Sequence, residues 1–331
     1  MKKLFLASAS LLALSASGAL AAGSSSYVNQ EGDTQQATID QTAATNGEVG
    51  TSGNPFDQKG SGNIISITQS GSGNKFSAEA VPSTIGSFTV PPPVGGFSDW
   101  QQNGTGNVVT VLQSGTEGHA GLYQEGDNNS GTISQGAGST DAIAAVANIG
   151  NGNAFSVGQD GGDDNIAAIG QVGDSNVASV SQTGNDNIAG IGQIADFSNA
   201  NVTQNGDGNL VLFGQFVGGS APNSNLLNST QTGNNNRLWG YQSGDNNVIG
   251  NTQTGGAHAL IIQTNTGGGL NQINNNQDGP VTANLTQTGF LLTINNTQSG
   301  SGFSTLSQSG NNHTVSVSQN NGGSITSTQT G

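Results

Sequence analysis

QVGDSNVASVSQTGNDNIAGIGQIADFSNANVTQNGDGNLVLFGQ, residues 171–215, returns glutamine at 171, 182, 193, 204 and 215, four consecutive steps of 11. Between glutamines the pattern is Gln-x-Gly-x-x-Asn followed by five residues of alternating character. That is a tight turn feeding a short strand. Strand and turn then recur without an intervening helix, and nothing within the stretch resembles a catalytic constellation.

Worked outward, the register runs from Gln30 to Gln329 and takes in 24 of the 28 glutamines. Of the 23 intervals, 13 are 11 residues, four are 10 and one is 12. Ala80 and Asn148 stand where two further anchors would fall. Five longer intervals mark irregular loops near 42–57, 81–101, 136–147, 216–224 and 264–276. The second holds Pro91, Pro92 and Pro93, which cannot donate to a sheet ladder.

The composition fits a repeat better than a conventional core. Only 31% of the 331 residues are hydrophobic and 5% aromatic, while glycine contributes 54. Charged residues make up 8%, too few for charge-driven disorder. Cysteine is absent, so neither disulfides nor thiolate metal sites are available.

At the start, Lys2 and Lys3, the apolar run Leu4 to Leu14, and Ala19-Leu20-Ala21 have the three-part pattern of a secretory signal peptide, predicted to span 1–21. The segment 22–29 is then a short mature N-terminus and 30–331 the repeat region. Lys59, Lys75 and Arg237 would be the remaining bases against 20 acids, a net charge of −17. That balance argues against nucleic acid or an anionic membrane as partner, and nothing later in the chain is apolar for long enough to suggest membrane insertion.

Side chains of a strand alternate between faces, so positions two, four and six before each glutamine share its side. These are Val180, Ala178 and Asn176; Ile191, Ala189 and Asn187; Phe213, Val211 and Asn209. The intervening residues, Ser179, Ser181, Gly190, Gly192, Thr203, Thr230 and Thr252 among them, are expected to look outward. Turn glycines Gly173, Gly184, Gly206, Gly233 and Gly244 supply positive φ. The expected fold is all-β: a two-sided β-solenoid of short strand-turn-strand repeats, two per coil, with amyloid-like stacking. Gln171, Asn176, Gln182, Asn187, Gln193, Gln204, Asn209, Gln215, Gln231, Asn236, Gln242, Asn247 and Gln253 are the expected core ladder, since stacked amides satisfy one another.

The turns QSGSGN (69–74), QNGTGN (102–107) and QNGDGN (204–209), with NVASVSQ (176–182) and NIAGIGQ (187–193), resemble curlin repeats, whose consensus runs Ser-x5-Gln-x-Gly-x-Gly-Asn-x-Ala-x3-Gln. The resemblance covers nearly the whole mature chain, with an enlarged number of repeats. It implies a subunit of an extracellular functional amyloid of the curli kind, exported through an outer-membrane pore of a Gram-negative bacterium and nucleated by a surface protein. Head-to-tail stacking into adhesive biofilm fibres is the expectation. A monomeric β-solenoid adhesin or ice-binding protein is the alternative, on the outward Ser and Thr. A minor or nucleating subunit, or a polysaccharide-acting β-helix enzyme, ranks lower. No catalytic, cofactor-binding or metal residue is expected: the carboxylates are scattered, and His119, His258 and His313 lie far apart. Trp100 and Trp239 are assigned no site.

Overall fold

A computed structural model of the chain describes residues 13–15, 23–77, 84–85, 88–89, 101–216 and 224–331. Of the predicted leader, only Ala13–Ser15 fall among them, as a short strand beside Gln36–Asp40. The cleavage site, Ala80 and most of the interval 81–101 lie outside the described residues.

Among the described residues all regular elements are strands, and the chain divides into two compact units, Met1–Asp174 and Ser175–Gly331. In each unit the strands of the two main sheets pair in parallel with the strand two repeats on, so successive repeats alternate between two sheets; Thr84–Ile85 and Phe88–Thr89 stand apart as a short antiparallel pair. Each unit is therefore a two-sided β-solenoid. Parallel strands leave no hairpin return, and the chain must cross to the other sheet before coming back one layer higher.

In the second unit the first sheet is built from Val177–Thr183, Asn199–Asn205, Leu226–Thr232, Asn247–Thr254, Asn271–Asp278, Thr293–Ser299 and Thr314–Asn320. The second sheet takes Ile188–Ile194, Leu210–Phe216, Arg237–Ser243, His258–Asn265, Val281–Phe290, Gly302–Asn311 and Ser324–Thr330. Register is strict: Gln182 lies beside Gln204, Gln204 beside Gln231, and Gln231 beside Gln253. Slipping one residue would turn the whole apolar set outward.

The first unit holds the same pattern with interruptions. Its first sheet runs through Gln36–Asp40, Ile64–Gln69, Val108–Gln113, Ser130–Gln135 and Ala154–Gln159. Its second sheet contains His119–Glu125, Ile143–Ile149 and Ile166–Val172. The preceding rows of that sheet are each made of two pieces. Lys75–Phe76 aligns with His119 and Ala120, and the row resumes with Gln101 beside Tyr123. Residues 77–100 separate the two pieces of that row in the sequence.

Two of the intervals read as loops need correcting. Ile143–Ile149 occupies the end of 136–147 as a regular strand, beside 119–125 and 166–172. The extra length is taken up near Ser139–Thr140, which itself pairs with Gly162–Asp163. Asn271–Asp278 likewise fills the end of 264–276 as a strand. Both keep the parallel register of their sheet despite the irregular glutamine spacing. Gln102, beside Gln58 and Gln124, holds the row position for which Ala80 was considered.

Between the sheets lies a thin apolar core. Val180, Ile191, Val211, Phe213, Leu227, Leu238 and Ile249 are each at most 1% exposed. Each contributes roughly 1.5–3 kcal/mol by burial. The turns rely on glycine for a steric reason as well as a conformational one. Gly206 has φ of 119°, and a Cβ there would stand 2.3 Å from the Gly233 carbonyl oxygen of the next coil.

Candidate functional site

The amides named from the sequence lie along the inner edges of both sheets. All 13, from Gln171 to Gln253, are 0% or 1% exposed. Such polar groups are tolerated in a core only when bonded.

Glutamine performs two tasks. In the second sheet of the Ser175–Gly331 unit, Gln193 Nε2 donates to Gln215 Oε1 at 2.8 Å, Gln215 to Gln242 at 2.9 Å, and Gln242 to Gln263 at 2.9 Å. In the first sheet Gln182 donates to Gln204 at 2.9 Å, Gln204 to Gln231 at 2.9 Å, and Gln231 to Gln253 at 2.8 Å. Every donation points toward the C-terminal coil. The remaining N–H crosses to the opposite sheet, as from Gln204 to the Ile188 carbonyl (3.0 Å) and from Gln253 to that of Arg237 (2.9 Å). One side chain thus joins a coil to its successor and one sheet to the other.

Asparagine splints the turns. Asn209 Oδ1 accepts the Asn236 N–H at 3.1 Å, and its Nδ2 donates to the Gly233 carbonyl at 2.8 Å. Asn187 does the same with the Asn209 N–H (3.1 Å) and the Gly206 carbonyl (2.7 Å). The pattern extends to Asn63, Asn107, Asn129 and Asn153, which the sequence reading did not single out, for example Asn107 Nδ2 to Gly126 O at 2.8 Å. Asn247 receives support from Asn225 Oδ1 on its N–H at 3.0 Å. Gly173 and Gly244 serve as acceptors for Asn153 and Asn225, at 2.8 and 2.9 Å. Gly184, at φ 103°, would bring a Cβ to 2.3 Å from the Gly206 oxygen. Each bond adds a net 0.5–1.5 kcal/mol, but deleting one partner of a buried pair costs about 1–3 kcal/mol.

The two outer faces of the second unit differ in kind. On the first sheet, Ser181, Thr203, Thr230, Thr252, Asn276, Thr297 and Ser318 form one exposed polar file in register. On the second sheet the outward positions are apolar over part of the face, with Leu212, Trp239, Tyr241, Leu260 and Ile262, and polar beyond it, with Asn284, Thr286, Thr305 and Ser307. In chain order the positions before the glutamines alternate between the sheets, so Thr203 is followed by Gly214 and Thr230 by Tyr241. Sorting alternate repeats would have separated the faces. Gly190 and Gly192, expected to meet water, are buried, lacking side chains that could rise to the level of Ile188 and Ile194.

Among titratable groups, His119 lies half-buried beside a cavity of 440 Å³ lined by Glu48, Lys75 and Glu117 among others. Burial, then the Lys75 charge, lower its pKa from the ordinary 6.5, against the opposing pull of Asp141 and Glu117. Asp40 is held below the usual carboxylate range by bonds from the Thr42 N–H and hydroxyl. Among the described residues no three metal-ligating side chains converge.

These features define a parallel β-solenoid whose interior is laced by in-register amides. Residues 162–194 match the curlin associated repeat, so the resemblance read from NVASVSQ (176–182) and NIAGIGQ (187–193) is shown at that segment. No curated protein matches the chain.

Proposed function

We propose that the chain is a structural, non-catalytic subunit of an extracellular curli-like amyloid fibre, assembling by head-to-tail β-stacking. The carrying observation is the sameness of the coil-to-coil bonds. Each coil hands to the next the same Gln Nε2 donor and Asn Oδ1 acceptor that it received from the one before. Such an arrangement makes a coil of a second chain as good a partner as a coil of the first, which is the condition for an open filament. The curlin associated repeat at 162–194 supports the same reading. It implies a surface nucleator and an outer-membrane export pore as partners, and a place in the biofilm matrix outside the cell.

Purified mature chain is expected to form fibres with cross-β spacings after a lag that seeds remove. Gln182→Lys and Gln193→Lys should slow growth strongly, while Val94→Lys, in the interval 81–101, should do little. Persistent monomer at high concentration, or equal effects from both sites, would overturn the reading. The polar file from Ser181 to Ser318 favours a second reading, a monomeric adhesin or ice-binding solenoid. Thermal hysteresis in the absence of fibres would select it.

A further inference from the structure

The outer face of the second sheet in the Ser175–Gly331 unit is largely apolar over its first four strands, and this part is used by neither the core nor the ladders. Trp239 lies between Leu212 and Leu260 in register, and Tyr241 between Gly214 and Ile262. Their exposure is high for such side chains: 47% for Trp239, 39% for Tyr241 and 39% for Leu260. Phe216 folds over Gly214 and stacks on Tyr241, ring centroids 5.1 Å apart at 25°. The face is thus ordered aromatic and aliphatic surface, of the sort that marks an interaction site.

Charge narrows the choice of partner. The chain carries 20 acids against five Lys and Arg. Yet strands Ile188–Ile194, Leu210–Phe216, Arg237–Ser243 and His258–Asn265 contain no carboxylate, and Arg237 and His258 open two of them. The unit's acids stand elsewhere, Asp186, Asp196, Asp207 and Asp245 in turns and Asp278 ending a strand of the first sheet. Two such chains repel one another through most orientations, but can bring these faces together without opposing carboxylates.

We propose that this face is a self-association surface, pairing with the same face of a second copy. Four strands about 4.8 Å apart and about 23 Å long present a flat footprint of about 440 Å² each. The pair covers about 900 Å², just under the threshold of about 1,000 Å² for specific interfaces. One pair of subunits should therefore associate weakly. If the subunits stack into fibres as proposed above, the face repeats along each fibre and the weak contacts add up, so fibres should lie side by side.

The test uses freshly purified mature chain, followed by sedimentation velocity while soluble and electron microscopy after assembly. The parent should show a concentration-dependent dimer and bundled fibres. Trp239→Thr with Leu260→Thr places on this face what the other face carries. Dimerisation should weaken at least about tenfold, as for loss of a central aromatic anchor, and fibres should separate with growth rate and spacing unchanged. Tyr241→Thr alone serves as a second variant if the double substitution misfolds. Thr203→Val with Thr230→Val, on the polar face, should change neither readout. Dimers and bundles that persist in both face variants, or a parent that shows neither, would overturn the proposal. A dimer without any fibre growth would sustain it while sinking the fibre reading.

Discussion

Within the Met1–Asp174 unit two glutamine ladders run in parallel, and only one is continuous. On the first sheet Gln41, Gln69, Gln113, Gln135 and Gln159 donate in sequence at 2.6, 2.8, 2.9 and 3.1 Å. On the second, Gln30, Gln58, Gln102 and Gln124 do so at 2.6, 2.8 and 2.9 Å, and the next position is Asn148. There Gln124 Nε2 and both amide atoms of Asn148 are buried without a bond. Asparagine stacks well on asparagine, but between glutamines its amide is withdrawn by one methylene, about 1.5 Å. The lesson is that a ladder depends on side-chain length as well as on chemistry.

The continuous ladder is where a substitution should cost most. Gln113 accepts from Gln69 and donates to Gln135, to the Gly118 carbonyl (2.9 Å) and to that of Lys75 (3.1 Å). Gln113→Leu should therefore cost about 3 kcal/mol in urea unfolding. Gln124→Leu should cost about 1 kcal/mol, because its amide nitrogen already lacks a partner; equal losses at the two sites would contradict the difference between the ladders.

Repairing the interruption comes next in size. Asn148→Gln should raise stability by about 2 kcal/mol, through bonds for groups now buried unsatisfied. In that background Gln124→Leu should become markedly more costly, a coupling that a double-mutant cycle would measure. A midpoint that does not move would mean that the buried amides are satisfied in another way.

The smallest effect concerns acid. The His119 backbone carbonyl accepts from Gln135 Nε2 at 3.1 Å, so the continuous ladder is tied to the strand that carries this imidazole. Because its pKa is lowered on folding, protonation favours the unfolded chain. Its contribution is complete above the ordinary value of 6.5 and is lost as pH falls below it. Relative to His119→Gln, the parent should lose unfolding free energy between about pH 7 and pH 5; a constant difference would remove His119 from the account.

Much of the fold could be read in the chain because its period places like residues on like. Once Gln182 and Gln204 occupy equivalent positions, parallel stacking and inward amides follow from the alternation of strand side chains. Asn148 could be recognised as a substitute, but its lost bonds could not, since those depend on the reach of the neighbouring side chains. The two-piece rows around Lys75–Phe76 and Gln101–Thr105 were hidden for a similar reason: an insertion between them erases the spacing while leaving the register intact.

By itself the sequence determined the repeat, the turn chemistry and which side of each strand is apolar, all of which are local consequences of a period near 11. Two repeats per coil are expected from it as well, and the tertiary structure fixed which strands become those second neighbours. That choice sorts the outward residues onto two faces, with Thr203, Thr230 and Thr252 on one and Leu212, Trp239 and Leu260 on the other. A strand's own residues specify its inner and outer sides, but which residues become neighbours across coils depends on how the backbone hydrogen bonds close.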